Sequence, residues 1–313
     1  MQDIRKKKLD ETNINSTLGI WSKNIIVGIG EILWDVLPTG KVLGGAPANF
    51  AYHVSQFGFD GYAISAIGED DLGNEILENV NNKELNYIIE KTPFSTGTVQ
   101  VTLDNAGVPQ YEICENVAWD NIPFTSKMQV LAHKTSAVCF GSLAQRNNVS
   151  RSTINRFLDY VPKTALKIFD INLRQHFYSI ELIEQALSIC NILKINDEEI
   201  IIISKLFGWD TKSDIQVARL LLKNYSIKMV VLTCGTLGSS IISENEISFI
   251  PTPVVVVADT VGAGDSFTAA LIAAILKGKN ISEAHQLAVE VSAYVCTQHG
   301  AMPILPENFR MKI

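Results

Sequence analysis

The chain has few of the residues on which disulfide frameworks and metal centres depend. Its five cysteines among 313 residues are odd in number, lie far apart and never form a C-x-x-C pair. That pattern argues against both disulfides and structural zinc. The five histidines show neither an H-E-x-x-H motif nor paired spacing, so we expect no histidine-based metal site or catalysis. We infer folding in a reducing compartment and expect a cytoplasmic location.

Long hydrophobic runs and basic clusters are also scarce. Residues 1–23 form a polar leader that lacks the apolar core of a signal peptide, and we expect it to be disordered. No later run is both long enough and free of chain breakers to span a bilayer. The net charge is −7, and the only basic run lies at residues 5–8. The sequence therefore favours a small-molecule partner and predicts neither a nucleic-acid nor a membrane partner.

Residues 24–313 have the composition of one large α/β domain with a small accessory piece. The whole chain is 47% hydrophobic, enough to bury a large core. Apolar β-branched runs begin at residue 24 and recur from residue 136 onward, where they alternate with helical stretches near 152–160 and 180–188. Such alternation predicts right-handed crossovers and a mostly parallel central sheet with helices on both faces.

One segment departs from this alternation of strands and helices. Residues 96–113 show strand-like alternation on either side of an N-A-G turn at 105–107, which predicts a hairpin. We expect a small β lid from segments near 35–45 and 96–114, with polar Gln100 facing the substrate. A lid keeps water away from a phosphoryl donor. The bare face of such a hairpin also offers a surface for pairing with a second subunit as a homodimer.

The stretch DTVGAGDSF, residues 259–267, is the most informative part of the chain. It follows the valine run 254–257, which predicts the order strand, glycine-rich turn, helix. Gly262 and Gly264 permit a tight turn, and the first amides of the new helix have no intrahelical partners. With the helix dipole, the amides of Gly262, Ala263 and Gly264 make an anion site suited to a phosphoryl group that gains negative charge.

Asp265 stands at the start of this helix, beside the anion site. A carboxylate is an odd neighbour for an anion unless another group must lose a proton there, and an attacking hydroxyl fits that requirement. We therefore interpret Asp265 as a general base. The alternative is an ordinary first-turn aspartate after a tight glycine turn.

Further polar residues follow predicted parallel strands, at the edge where ligands bind in such sheets. Asp170, Asn172 and Arg174 follow one strand, and Asn196 and Glu199 follow the next. An arginine placed there can neutralise phosphate. Glu199, one turn after Asn196, can hold magnesium through water, although both residues also suit an ordinary helix start.

Two early segments carry candidate sugar ligands. The run GIGEIL at 28–33 lacks the third glycine of a dinucleotide fingerprint, which argues against that fold. Asp35 is interpreted as a carboxylate at a strand end that accepts hydrogen bonds from hydroxyls, or as a turn cap. The glycine pair 44–45 permits close approach of a ligand. Asn49 can bond sugar hydroxyls, or it can cap locally.

Two later segments complete the pattern. Gly235 and Gly238 leave room for an adenine or a phosphate to approach the backbone near Thr233, although a plain β-turn also explains them. The last long helix is predicted to begin with Ser282 as its cap and to stop at Gly300.

Five motifs in order resemble the ribokinase-like (PfkB) carbohydrate kinases. They are GGAPAN at 44–49, the hairpin, NDEE at 196–199, TCGTLG at 233–238 and DTVGAGDSF at 259–267. The likeness runs from about residue 24 to the C-terminus. The combination of GEILWDVLP, GGAPAN and DINLR is most similar to fructokinases.

The resemblance implies a role for each candidate. It makes Asp265 the catalytic base and the amides of residues 262–264 the anion hole. The positions implied to hold the sugar are Asp35, Gly45 and Asn49, to which we add Gln100 and Arg174. The positions implied to lie along ATP and magnesium are Asn196, Glu199, Thr233, Gly235 and Gly238. A potassium-like ion is implied at Asp259 and the loop that contains Gly300.

The expected reaction is transfer of the γ-phosphoryl group from MgATP to D-fructose, giving fructose 6-phosphate. Gly44 and Gly45 are followed by Ala46 and Pro47 rather than by a cation, which favours a neutral sugar over a phosphorylated one. The alternatives are a kinase for ribose, 2-keto-3-deoxygluconate or a nucleoside such as adenosine, and a sugar-sensing protein that has lost catalysis. The intact Asp265 speaks against the sensor.

Overall fold

A computed structural model describes residues 25–37, 40–103, 109–209 and 213–313. The leader at 1–23 and the hairpin turn at 105–107 lie outside the described residues, so their predictions stay predictions. All five cysteines are free thiols. Among the described residues, no helix has the length and apolar character needed to cross a membrane.

The described residues form the following strands and helices. The strands are β1 (Ile25–Ile29), β2 (Leu33–Leu37), β3 (Gly40–Gly44), β4 (Asp60–Gly68), β5 (Asn86–Thr92), β6 (Thr98–Leu103), β7 (Pro109–Ile113), β8 (Thr135–Gly141), β9 (Leu166–Asp170), β10 (Ile192–Asn196), β11 (Met229–Thr233), β12 (Ser239–Ser243) and β13 (Ile247–Ile250). The helices are α1 (Ala46–Gln56), α2 (Asp71–Asn82), α3 (Ser126–Ala132), α4 (Asn148–Tyr160), α5 (Ile180–Ile189), α6 (Asp197–Leu206), α7 (Asp214–Asn224), α8 (Ala263–Leu276), α9 (Ile281–Cys296) and α10 (Glu307–Arg310).

The larger sheet has the strand order β13-β12-β11-β10-β9-β8-β1-β4-β5. The strands from β11 to β5 run parallel, whereas β12 and β13 pair antiparallel at one edge. Successive residues of β1 enter different buried clusters, Val27 and Ile29 on one face and Ile26 on the other. Helices α3 to α7 cover the first face, and α1, α8 and α9 cover the second. The predicted α/β fold is confirmed.

The smaller sheet has the order β3-β2-β6-β7. Strands β6 and β7 form the predicted antiparallel hairpin, and β2 joins β6 in parallel. The buried Trp34 anchors this lid because its indole N–H donates to the carbonyl of Leu72 on α2 at 3.0 Å. Asp35 is the middle residue of β2, so its interpretation as the end of a strand is wrong. The chain leaves the large sheet at residues 30–32, before it reaches Asp35.

The valine run 254–257 does not form the predicted strand. The segment between β13 and α8 has no regular structure, and Val254 and Val256 are almost fully exposed. Pro251 and Pro253 precede the valine run and have no N–H to donate to a neighbouring strand. β-Branched composition alone was therefore a misleading signal here.

The last long helix also differs from its prediction. Asn280, not Ser282, caps α9, because the Glu283 side chain accepts from the Asn280 amide and closes a capping box. The helix ends at Cys296, and Gly300 lies in the loop that follows.

Asp70 joins helix α2 to the segment that enters the lid. Its carboxylate accepts from the amide of Gly73 at 2.8 Å, from the amide of Thr96 at 2.8 Å and from the Thr96 hydroxyl at 2.6 Å. The Thr96 hydroxyl in turn accepts from the amide of Gly68 at 2.9 Å. A single side chain thus supplies both a helix cap and an anchor for the lid.

We predict that Asp70→Ala lowers the free energy of unfolding by about 2–3 kcal/mol, since it removes a helix cap and leaves Thr96 short of partners. Asp71→Ala is the matched control, because Asp71 is exposed and affects mainly the helix dipole, an effect of at most about 1 kcal/mol. Urea unfolding of both variants measures the difference. Equal losses for the two variants would contradict the assignment.

Candidate active site

Helix α8 begins at a glycine that the fold requires. Gly262 is its N-cap and adopts a left-handed conformation with φ 78°. A Cβ at this position would lie 2.6 Å from the carbonyl oxygen of Ala301 in the C-terminal loop. Both the conformation and the contact exclude a side chain, so the sharp entry into α8 depends on this residue.

The first turn of α8 presents free backbone donors. The first intrahelical bond runs from the amide of Ser266 to the carbonyl of Gly262 at 2.9 Å. The amide of Ala263, one of the three predicted for the anion site, donates to the carbonyl of Thr260 at 3.3 Å and is therefore not free as predicted. The amides of Gly264 and Asp265 precede the first intrahelical bond and point out of the helix end. Residues 266–274 are buried, so the helix dipole acts with little screening from water. This geometry suits an anion.

Asn49 and Asp265 are joined by a hydrogen bond although they lie 216 positions apart. The Asn49 Nδ2 donates to Asp265 Oδ2 at 2.7 Å. Asn49 is buried near the start of α1. The N-cap of α1 is Gly45, and a Cβ added to it would lie 2.5 Å from the carbonyl oxygen of Glu31. The side-chain amide of Asn49 thus donates to the candidate base rather than to its own backbone. Gly45, the second glycine of the pair 44–45, allows the start of α1 to approach the backbone of Glu31 closely.

The environment of Asp265 adjusts its proton affinity. Burial raises the pKa of Asp265 to about 6, and the charge of Asp170 adds to this effect. The hydrogen bond from Asn49 and the charges of Lys194 and Arg174 oppose the rise. The carboxylate is therefore ionised near neutral pH and takes up a proton more readily than an ordinary aspartate.

Lys194 was missing from the predicted site residues, and Asp170 was placed at the ligand-binding edge of the sheet without a role. The Lys194 Nζ lies 3.1 Å from Asp170 Oδ1, and both side chains are buried. An added Cβ on Gly264 would lie 3.2 Å from the same Nζ, which places the ammonium beside the start of α8. Burial alone would lower the pKa of Lys194, but the charges of Asp170, Glu199 and Asp265 outweigh it and raise that pKa. A lysine within the apolar run of β10 was the available signal.

Glu31 was also missed by the sequence reasoning. It follows β1 at the carboxyl edge of the large sheet, is only 3% exposed and has a buried Oε2 without a partner. It lines a small cavity together with Asp170 and Asp265. Burial raises the pKa of Glu31 to about 7, and the charge of Asp265 adds to this effect. An acid directly after an apolar strand could have marked it.

Of the predicted sugar ligands, Asp35 and Gln100 lie on opposite faces of the lid, because Gln100 pairs in register with Val36, the residue after Asp35. Burial raises the pKa of Asp35 to about 6, and the charge of Arg174 opposes the rise. A Cβ added to Gly44 would lie 2.5 Å from Asp35 Oδ2. The absence of a side chain at Gly44 therefore leaves room for this carboxylate. Arg174 is exposed, and its charge also lowers the pKa of Asp265. Gln100 instead donates to Thr98 within the lid at 3.3 Å.

Asn196 and Glu199 form a capping box at the start of α6. The Asn196 side chain accepts from the amide of Glu199 at 2.8 Å, and Glu199 Oε2 accepts from the amide of Asn196 at 2.9 Å. Glu199 Oε1 accepts from the amide of Leu173 at 2.9 Å. Each oxygen keeps one lone pair. These oxygens can contact magnesium through water. They also form the capping box of an ordinary helix start, which was the alternative interpretation of the two residues.

The predicted nucleotide residues lie at the end of the neighbouring strand β11 and in the turn that follows it. Thr233 ends β11 and pairs in register with Asn196 of β10, so these two candidates are adjacent. Gly238 has φ 139°, and an added Cβ would lie 2.6 Å from the Ile250 carbonyl oxygen. The carbonyl of Gly235 accepts from the Thr252 hydroxyl at 2.6 Å, which ties this turn to the segment before α8.

Asp259 and Gly300, the residues at which the potassium-like ion was predicted, are joined by a hydrogen bond. Asp259 Oδ1 accepts from the amide of Val261 at 3.0 Å, and Oδ2 accepts from the amide of Gly300 at 3.1 Å. Within the described part of the chain, no group of three or more His, Cys, Asp or Glu residues is arranged to hold a metal ion. The potassium-like site therefore stays a prediction.

Comparison with known sequences relates the chain to sugar kinases. A sugar kinase from Pyrococcus horikoshii is 29% identical over 276 residues, which cover 82% of this chain and 84% of the relative. An ATP-dependent 6-phosphofructokinase from Thermoanaerobacterium thermosaccharolyticum is 27% identical over 301 residues, 90% and 91% of the two chains. A fructokinase from Klebsiella pneumoniae is 28% identical over 300 residues, 89% and 95% of the two chains.

Solved structures share the same architecture. That of the Pyrococcus horikoshii sugar kinase matches with a TM-score of 0.78 at 26% identity and covers 92% of this chain and 97% of its own. It has also been solved in complex with ATP. A Vibrio cholerae fructokinase with bound fructose, ADP and calcium matches with a TM-score of 0.75 at 23% identity, over 91% and 96% of the two chains.

A family model covers most of the chain, from residue 31 to residue 308, and its description is pfkB family carbohydrate kinase. The match begins at the glutamate after β1 and includes α8 and the C-terminal loop. The five motifs and the ribokinase-like fold agree with it. The chain therefore belongs to the pfkB family of carbohydrate kinases.

Proposed function

We propose that this sugar kinase transfers the γ-phosphoryl group of ATP to the primary C6 hydroxyl of D-fructose, giving fructose 6-phosphate and ADP. The proposal is supported chiefly by the 2.7 Å bond between Asn49 and Asp265. That bond links the glycine-rich start of α1 to the carboxylate at the start of α8. A sugar held by the first element and a phosphate held by the second would meet at Asp265.

In the proposed mechanism, Asp265 accepts the proton of the sugar hydroxyl through the oxygen that Asn49 leaves free. The hydroxyl oxygen forms a bond to the γ-phosphorus while the bond to the β–γ bridging oxygen breaks. The first-turn amides of α8, at Gly264 and Asp265 itself, receive the charge that develops on the transferred group. The proton stays on Asp265 until the products leave.

Magnesium bound with ATP would neutralise charge on the phosphates. Glu199 and Asn196 would hold it through water, in keeping with their lone pairs left free. Lys194, beside Gly264, offsets part of the surrounding negative charge, and Arg174 can neutralise phosphate from the open side. We assign the nucleotide to the neighbouring turn at Thr233, Gly235 and Gly238, and a potassium-like ion to Asp259 and Gly300.

A neutral ketohexose suits the sugar side of the cleft. Asp35 and Asn49 supply acceptors and donors for hydroxyl groups. The residues after the paired glycines, Ala46 and Pro47, have no charge with which to bind a second phosphate. Similarity to a Klebsiella pneumoniae fructokinase over nearly the whole chain supports the same substrate.

We predict that Asp265→Asn lowers kcat by about 10²–10⁴, since the side chain can still accept the bond from Asn49 but can no longer accept the proton. The Kd values for fructose and ATP stay within about threefold. A coupled assay of ADP release gives kcat, and calorimetry gives the Kd values. Turnover near that of the wild type would contradict the assignment of the base.

The rate should also depend on pH. Because Asp265 must be ionised to act, and its pKa is raised to about 6, we predict that kcat/KM for fructose falls as the pH drops through about 6. An ordinary aspartate would keep its activity to about pH 4. Initial rates at saturating ATP from pH 5 to 8 measure this limb.

Asp35→Asn is the control for the pH profile. It removes the other cleft carboxyl whose pKa is raised to about 6, so it should weaken sugar binding and leave the acid limb of kcat/KM in place. Loss of that limb in Asp35→Asn would assign the titration to Asp35 instead.

A panel of acceptors decides the substrate. We predict that D-fructose has the highest kcat/KM, by at least about 100-fold over ribose, adenosine, 2-keto-3-deoxygluconate and fructose 6-phosphate, since unpaired polar groups in a hydrogen-bonding site are costly. Binding of a sugar without ADP release in the presence of magnesium and potassium would support the sensor alternative. A different leading acceptor would replace fructose and leave the kinase chemistry intact.

A further inference from the structure

Glu31 carries a buried carboxyl group that the mechanism above does not use. The residue is 3% exposed, and its Oε2 has neither solvent nor a hydrogen-bond partner in the protein. Leaving a buried polar atom unpaired destabilises the folded state. A native structure retains such an atom only if it is satisfied by water or serves the site, so its surroundings are informative.

The cavity next to Glu31 has room for about one water molecule. It extends from Glu31 to Asp265, and its other polar walls come from Asp170, Asn172 and Thr268. A buried water requires about two to four polar partners, and these walls provide them. One water there would satisfy Glu31 Oε2 and at the same time contact the candidate base.

Charged groups approach Glu31 from several elements. Asp265 on α8 and Asp170 at the end of β9 contribute negative charge, and Arg174 after β9 contributes positive charge. Lys194 on β10 is paired with Asp170. Cys139 on β8 is neutral, since burial raises its pKa well above the usual range. The cavity-lining residues of α1 carry no charge: Ala46, Pro47 and Phe50.

These surroundings favour a protonated Glu31 below about pH 7. Burial raises its pKa to about 7, and the carboxylate of Asp265 adds to the rise while Arg174 opposes it. A protonated carboxyl is a hydrogen-bond donor as well as an acceptor. Protonated Glu31 can therefore donate a hydrogen bond toward Asp265 without adding a further negative charge near the incoming phosphate.

We propose that Glu31 is a positioning residue that donates a hydrogen bond, through one water in this cavity, to the carboxylate of Asp265. Asn49 holds Oδ2 of the same carboxylate from α1. With both contacts made, the base cannot rotate away from the sugar hydroxyl. The inference rests on the proposed function, because it takes Asp265 as the base of a sugar kinase.

Two substitutions separate this role from a structural one. Glu31→Gln keeps the shape and the donor, so kcat at pH 6.5 should stay within about threefold of the wild type. Glu31→Ala removes the donor and should lower kcat about 10- to 100-fold with the KM values for fructose and ATP little changed, since misplacing a catalytic group by about 1 Å costs about 10². Thermal unfolding of both variants shows that they are folded.

The pH profile gives a further readout. Above about pH 7 the wild type loses the proton on Glu31, so its kcat/KM should decline, whereas that of Glu31→Gln should not. A kcat for Glu31→Ala equal to that of the wild type would overturn the proposal. So would a Glu31→Gln variant as slow as Glu31→Ala, because the charged form would then be the one required.

A measurement without turnover tests the same contact. Infrared spectra of the ligand-free protein at pH 6 should contain the carbonyl band of a protonated carboxylic acid that Glu31→Gln removes, and a crystal structure should show the bridging water. Absence of both overturns the proposal even if the enzyme is active. A wild type that phosphorylates no sugar would overturn the proposed function alone, since the spectra and the crystal still decide the contact.

Discussion

The hydrogen bond between Asn49 and Asp265 is the contact on which the rest of the site depends. It couples two helix starts that are far apart in sequence, and each start is possible only because a glycine replaces a side chain. Gly45 lets α1 approach the backbone of Glu31, and Gly262 lets α8 begin against the C-terminal loop. Because both helices cover the same face of the large sheet, packing of their apolar residues brings the two polar ends together.

The cost of this arrangement is a concentration of buried charge at one edge of the sheet. The buried ammonium group of Lys194 offsets part of the charge of four buried carboxyl groups, those of Glu31, Asp170, Glu199 and Asp265. In a poorly solvated site, four carboxylates cannot all stay fully ionised, and the pKa values of Glu31 and Asp265 are raised. Burial is the main cause of these raised pKa values, and repulsion between the carboxylates adds to it. The higher proton affinity that results is what a base for an alcohol requires.

Local sequence signals succeeded where one physical effect dominated. The alternation of apolar runs predicted the parallel sheet, and the five motifs predicted the family. The signals failed where a second effect intervened. The valines at 254–257 have high strand propensity, but prolines at 251 and 253 withhold donors, and the segment stays exposed. Ser282 is a good cap in isolation, but Asn280 has the reciprocal partner Glu283.

The sequence by itself determined the fold class, the family and the identity of the candidate base, because periodicity and glycine spacing are local properties of the chain. Only the tertiary structure decided that Asn49 contacts Asp265, that Asp35 is the middle residue of a lid strand, and that Gln100 bonds to Thr98 within the lid. It also brought in Lys194, which belongs to no quoted motif, and Glu31, which lies in GEILWDVLP but had no role assigned to it. Hydrogen bonds and buried charges between distant segments depend on how helices pack on the sheet, and no short stretch of sequence encodes that packing.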